Sequence, residues 1–256
     1  MAVSPPSFVD EQGLEGMDCN IDVRFFPAPP DLEGCFASFY CATFTVADGQ
    51  RVRDLLQPEW ANLRFFAGDL PDAGMPGGPV LRQARLTATG PSSLPAHFEL
   101  GTTRMWGMGL FPLGWAKFCH GSAAELANRV VDGEAHPAFA NFRELARNLF
   151  AGEADIEGEL ARIIACFRAL DREVPDEERI VAIHAAMVDT AVASVADFAD
   201  RSGLSRRTLE RLCHRYFGFS PKLLLRRQRF MRSLAEFMLE HAANWSEAMD
   251  AHYHDQ

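Results

Sequence analysis

The sequence predicts an α+β protein with a β-rich N-terminal half, a helical connector and an all-α C-terminal arm. Three observations predict it. Between Val23 and Leu113 the chain runs in short apolar stretches broken by Pro and Gly, the texture of an all-β barrel or sandwich. Between Ala138 and Val192 the apolar residues recur at helical spacing. From Ser194 to Ser220, SVADFADRSGLSRRTLERLCHRYFGFS, two short stretches with their own capping residues flank a tight turn.

Residues 1–20 contain Pro, Gly and acidic residues without periodicity and read as a disordered arm. Residues 21–137 form the β-rich domain, with strands expected in VRFF, CFASFYCATFTV, NLRFFAGDL, VLRQARLTA and HFELGTTRMWGMGLF. Leu70–Pro79, LPDAGMPGGP, reads only as loop or turn, because Pro and three glycines disfavour any regular element. After it, LFPLGWAKFCHGSAAELANRVVDG passes from strand through a Pro112/Gly114 turn into helix. In the connector, 138–192, three apolar stripes mark helices. Phe142, Leu145 and Leu149 mark the first; Ile156, Leu160, Ile163, Ile164, Phe167 and Leu170 the second; Ile180, Ile183, Met187 and Val188 the third, started by Pro175. These stripes suit two uses equally, pairing with a second copy or packing on the β half.

The arm, 193–256, opens with Ser194 as an N-cap and Asp197 three residues on, a variant of the capping box, with Val195, Phe198 and Ala199 facing inward. Ser202-Gly203-Leu204 makes the turn. Ser205 caps a second helix whose inward face is Leu209, Leu212 and Phe217, leaving Arg206, Arg207, Glu210, Arg211, His214 and Arg215 outward, and Gly218 ends it. Pro221 starts a long helix to about His241, with Leu224, Leu225, Gln228, Met231 and Leu234 at helical spacing. From Arg201 to Arg232 there are ten basic residues against Glu210 alone. That segment carries +9 in a chain of net charge −10, so the remainder carries −19. A basic second helix behind a tight turn is the layout of a helix-turn-helix reader of double-stranded DNA, since phosphate contacts supply the non-specific affinity. Such a helix enters the major groove by its N-terminal turns. Arg207, Glu210 and Arg211 are therefore expected at base edges, Arg206 and Arg215 at phosphates, and Lys222, Arg226 and Arg227 as exposed cations beside them.

The forty residues SVADFADRSGLSRRTLERLCHRYFGFSPKLLLRRQRFMRSL resemble the first half of the AraC/XylS-type DNA-binding domain. The match lies in the Ala199–Gly203 turn, Ser205, Leu209, Arg211, Phe217-Gly218, Ser220-Pro221 and Arg229. The resemblance implies two helix-turn-helix units joined by the long helix, and a bracing role for Arg229. Trp245, Ala248, Tyr253, Asp255 and Gln256 match the opening of the second unit, with His252 where the family usually has Gly. The sequence ends one residue after Asp255, so the second unit is expected to be truncated and DNA binding weak. The N-terminal half resembles the cupin-like regulatory domain that precedes many such arms, through a G-x-x-x-x-P-x-G pattern at Gly107, Pro112 and Gly114. That resemblance implies a pocket for a small-molecule effector, with Phe39, Phe44, Trp60, Phe65, Phe98, Trp106 and Trp115 as aromatic residues that could line it, although plain core is the preferred reading of each. The implied partners are double-stranded DNA, a small-molecule effector, a second copy in a homodimer and, for an activator, RNA polymerase.

Composition is consistent with this. The chain has 256 residues, 48% of them apolar, enough for two domains with a core. Its six cysteines show no C-x-x-C pair and read as reduced, buried thiols of a cytoplasmic protein. There is no signal-peptide profile and no run of eighteen apolar residues, so no membrane partner is expected. A metal-dependent cupin enzyme needs clustered histidines with a carboxylate, whereas His97, His120 and His136 are isolated, and the H-x-H at His252 and His254 falls in the second unit's turn. No catalytic fingerprint is present. The expectation is a sequence-specific transcriptional regulator, not an enzyme, with no cofactor and no metal. The contrasting readings are a small-molecule-binding module and a non-metal cupin-like enzyme, each with a non-functional DNA arm.

Overall fold

In the computed structural model, which describes residues 19–238, the β half is two antiparallel sheets. The strands are β1 Cys19–Phe25, β2 Phe36–Val46, β3 Val52–Leu56, β4 Ala61–Gly68, β5 Asp72–Gly74, β6 Val80–Arg82, β7 Leu86–Thr89, β8 Ala96–Leu100, β9 Thr103–Leu110 and β10 Val130–Asp132. One sheet has six strands in the order β1-β2-β9-β4-β7-β10, and the other four in the order β3-β8-β5-β6. The helices that follow are α1 Pro112–Phe118, α2 Ala123–Leu126, α3 Arg143–Asn148, α4 Ile156–Leu170, α5 Glu177–Val188, α6 Val195–Arg201, α7 Arg206–Leu212 and α8 Pro221–Met238. The protein is thus α+β, β-rich first and helical after.

Period-two alternation explains how the larger sheet is used. Ala61, Leu63 and Phe65 of β4, Trp106, Met108 and Leu110 of β9, and Phe39 and Cys41 of β2 belong to one core shared with the helices. The intervening residues Ala42, Phe44, Phe66 and Met105 pack instead with Val52 and Leu100 of the smaller sheet. The central strands are therefore buried on both faces, which is why β4 reads ANLRFFAG without clean alternation of polar and apolar residues.

The segment Leu70–Pro79 corrects its expected reading as loop alone. Asp72–Gly74 is a strand that pairs with Val80–Arg82 on one side and with His97–Glu99 on the other. Only the stretch between β5 and β6 is a turn. Three residues ending in Gly carry too little apolar signal to be seen, and one of the two strands that pair with them, β8, lies over twenty positions away. The glycine pattern, by contrast, has a plain packing cause. A Cβ at Gly107 would overlap the Tyr40 ring, and one at Gly114 would overlap the Cys35 carbonyl, while Pro112 stands in the first turn of α1.

The connector helices lie on the β half. Phe142, Leu145, Leu149, Ile163, Phe167, Ile180, Ile183 and Met187 are buried in the core that holds Trp106 and Phe65, and only Val188 of the expected stripes is exposed among the large apolar residues. Glu159 on α4 fixes the docking. It is 1% exposed and accepts hydrogen bonds from Arg104 Nη1 and Nη2 at 2.7 and 2.6 Å and from Trp106 Nε1 at 2.7 Å. The same core continues through Phe198, Leu209, Leu212, Phe217, Leu224 and Leu225 of the arm, so no break in packing falls at 137/138 or 192/193. Glu159→Ala should lower unfolding stability by about 3 kcal/mol, because Arg104 and the Trp106 N–H lose their shared acceptor in a dry site. Urea denaturation checks this, with Glu159→Gln expected to lose less.

Candidate nucleic-acid interface

The arm folds as its local chemistry directs. The Ser194 hydroxyl accepts from the Asp197 N–H at 3.1 Å and the Asp197 carboxylate accepts from the Ser194 N–H at 2.9 Å, closing a reciprocal cap on α6. Ser202 donates back to the Phe198 carbonyl at 2.8 Å and Gly203 takes a φ of +67°, turning the chain. Ser205 accepts from the Thr208 N–H at 3.2 Å and caps α7. Beyond Leu212 the helix widens into a π-turn, Cys213–Phe217, which Gly218 ends at φ +85°.

The predicted outward residues are outward. Arg206, Arg207, Glu210, Arg211, His214 and Arg215 are exposed, while Leu209, Leu212 and Phe217 are fully buried beneath them. Three of the six have partners. Glu210 lies 3.1 Å from His214 Nε2, an i,i+4 pair, and the Arg215 guanidinium sits 5.2 Å from the Tyr216 ring centroid. Glu210 is thus occupied on the helix surface, and no ion pair is seen for Arg207 or Arg211 among the described residues. Lys222 and Arg226 on α8 are also exposed.

Arg227 is not, and this overturns its assignment as an exposed cation for DNA. It is 7% exposed, its Nε donates to the Ser92 carbonyl at 2.7 Å, and its guanidinium lies 4.5 Å from the Trp60 ring centroid. Burial pushes its pKa down to about 10, against the opposing pull of Glu59, so it stays charged at neutral pH. Spacing contained the clue: Arg227 stands three residues after Leu224, on the buried stripe. Arg229, 2% exposed, donates to the Ala193 carbonyl at 2.6 Å and so ties α8 to the start of α6. The second-unit positions Trp245, Ala248, His252, Tyr253, Asp255 and Gln256, and the long helix beyond Met238, lie outside the described residues.

Trp60 joins the halves. Besides Arg227, its ring meets Phe217 at the end of the π-turn at 6.1 Å and His184 of α5 at 6.0 Å. Behind it, Glu59 and Ser92 hold each other, the Glu59 N–H donating to Ser92 Oγ and the Ser92 N–H to the Glu59 carbonyl, both at 2.9 Å. The Glu59 carboxylate accepts Arg64 Nη2 at 2.8 Å on each oxygen and Asn62 Nδ2 at 3.0 Å, and Arg64 Nε reaches the Tyr40 hydroxyl at 3.2 Å. Burial alone would lower the Arg64 pKa, but Glu59 and Tyr40 more than offset it and hold it above the ordinary arginine value.

Arg64 also lines a cavity between the two sheets, with Phe44, Phe66, Thr87, Phe98 and Met105 among its walls. Of the seven aromatic candidates only Phe44 and Phe98 face it. Phe39, Phe65, Trp106 and Trp115 face the helices, and Trp60 stands at the junction. Arg64, Thr87 and Thr89 had no sequence signal, because a polar residue on a strand normally reads as solvent-facing. The six cysteines are free, and burial pushes Cys35, Cys41 and Cys166 up to about 11, far from a thiolate nucleophile. Among the described residues no group of three or more His, Cys, Asp or Glu could hold a metal ion, and no helix is long and apolar enough to cross a membrane.

No protein-family model matches the chain, and no curated protein matches it either. Among solved structures it is similar to the AraC-like transcriptional activator CuxR, at 13% identity over 84% of this chain and 87% of that one, with a TM-score of 0.29. It is also similar to ToxT from Vibrio cholerae, at 8% identity over 90% and 91% of the two chains, with a TM-score of 0.41. At these values neither structure assigns a role to any residue of this chain.

Two outcomes follow from the junction. Arg229→Ala and Arg227→Ala should each lower the unfolding free energy, the latter by about 2 kcal/mol for the stacking and hydrogen bond lost, whereas Arg226→Ala should stay within about 0.5 kcal/mol, with thermal denaturation as the check. Burial against Trp60 and Phe111 also lowers the His184 pKa. The unfolded chain binds a proton near pH 6.5 that the folded chain refuses. Stability is therefore full above that pH and declines as the pH falls below it. Urea midpoints at pH 7.5 and 5.5 should show the decline, and His184→Gln should flatten it.

Proposed function

We propose that this protein is a sequence-specific DNA-binding transcriptional regulator of AraC type, whose β half binds a small-molecule effector. The observation that carries the reading is the outer face of α7. Three arginines, Arg206, Arg207 and Arg211, stand exposed on a short helix that is capped at one end, held from behind by Leu209 and Leu212, and preceded by a tight turn, and Arg215 follows them in the π-turn. A face this basic in an otherwise acidic chain is built for phosphate. Arg207 and Arg211 reach base edges, while Arg206, Arg215, Lys222 and Arg226 hold the backbone on either side. Arg227 serves inside the protein and makes no DNA contact. The effector part is supported by the inter-sheet cavity and by its connection, through Arg64, Glu59 and Ser92, to Arg227 on α8.

Selection from a random duplex library should recover a preferred site, bound with steep salt dependence. On that site Arg207→Ala or Arg211→Ala should cost about 1–3 kcal/mol while leaving random-sequence affinity nearly unchanged. Arg206→Ala and Arg226→Ala should weaken both duplexes alike, each reducing the salt slope by about one. A chain that shows no salt-dependent duplex binding at all would overturn the proposal.

A further inference from the structure

A buried arginine beside a cavity ordinarily suggests an anionic ligand. Here the electrostatics are already closed. Both Glu59 oxygens lie 2.8 Å from Arg64 Nη2, and the Tyr40 hydroxyl takes Arg64 Nε. An incoming carboxylate would have to compete with the half-buried Glu59 for Arg64 and would bring a second negative charge beside it, which disfavours an anionic ligand. What remains unmet on this face is neutral. Thr87 lines the cavity, is 4% exposed, and its Oγ1 has no hydrogen-bond partner among the described residues. Asn62 Oδ1, on the same face of the neighbouring strand, is likewise unmet. The other walls are chiefly apolar, led by Phe44, Phe66, Phe98 and Met105, around a space of about 50 Å³ that opens partly to solvent.

We propose that this cavity binds a small, uncharged, largely apolar molecule carrying one hydrogen-bonding group, which Thr87 Oγ1 engages while the apolar walls enclose the rest. This rests on the effector reading given above and fixes the class of that effector. A buried hydroxyl without a partner is costly, and a ligand that supplies the partner recovers that cost together with the transfer of its apolar surface from water.

Isothermal titration of the full chain, without DNA, tests the proposal with phenol, toluene and benzoate as probes. Phenol should bind saturably, toluene about fivefold more weakly for want of the hydroxyl, and benzoate not at all. Thr87→Val should remove the preference for phenol and leave toluene affinity unchanged, whereas Thr87→Ser should retain it. Thermal melting of ligand-free Thr87→Val should show a midpoint at or above the parent's, so a lost preference cannot be put down to misfolding. Benzoate binding as tightly as phenol, a phenol preference that survives Thr87→Val, or no saturable binding by any probe would each overturn the proposal. Phenol binding that leaves DNA affinity unchanged would sink the effector reading and leave the ligand class standing.

Discussion

Burial of the central sheet on both faces is the constraint from which the remaining features follow. A strand with one wet face can place its polar side chains in water, but β4 and β9 have no such face, so each polar residue they carry must be answered inside the protein. The two faces solve this with one carboxylate each. On the helical side Glu159 answers Arg104 and Trp106, and in doing so pins α4 to β9. On the inter-sheet side Glu59 answers Arg64 and Asn62, and its backbone pairing with Ser92 reaches to the edge of the β half. Both ion pairs are costly to assemble and costlier to break, so they make the sheet rigid in the places where other elements dock.

From that edge the order passes to the arm. Ser92, held by Glu59 through its N–H and hydroxyl, offers its carbonyl to Arg227, and Trp60 spreads beneath the guanidinium. The cations of the arm thereby divide by burial rather than by sequence. Arg226 and Arg227 are adjacent, yet one faces water and the other a tryptophan. Arg229 looks backward to Ala193 and stiffens the arm itself. What remains outside is a coherent set on α7 and the start of α8, mounted on a base that cannot easily tilt. A reader of the major groove needs that rigidity, because base-edge hydrogen bonds discriminate only when their donors are held in place.

Which of these features were legible in the sequence depends on how far apart the partners lie. Ser194 with Asp197, Ser205 with Thr208, and Gly218 act within four residues, so the caps and the turn could be read directly, as could the apolar stripes of the connector. The strand Asp72–Gly74 could not, since it is only three residues long, its residues favour turns, and one of its two pairing partners, β8, is remote. Arg227 was misjudged because charge outweighed phase: its helical position pointed inward, but its partners, Ser92 and Trp60, lie more than 130 residues away. The aromatic residues could not be divided between pocket and core for a related reason. Alternation tells that neighbours face opposite ways, but when both faces are buried it does not tell which one lines a cavity.

The π-turn after Leu212 sets a boundary for anyone who would exchange α7, the proposed reading helix. One extra residue in a turn rotates everything downstream by about 100° relative to a plain α-helix. That shift carries the Tyr216 hydroxyl to Asp176, 3.1 Å away, and Phe217 against Trp60, while α7 keeps its own phase toward solvent. A segment borrowed from another reader and joined at Gly218 would arrive out of phase with its seat. A graft that stops at Leu212 would change the specificity alone and keep the gearing that follows.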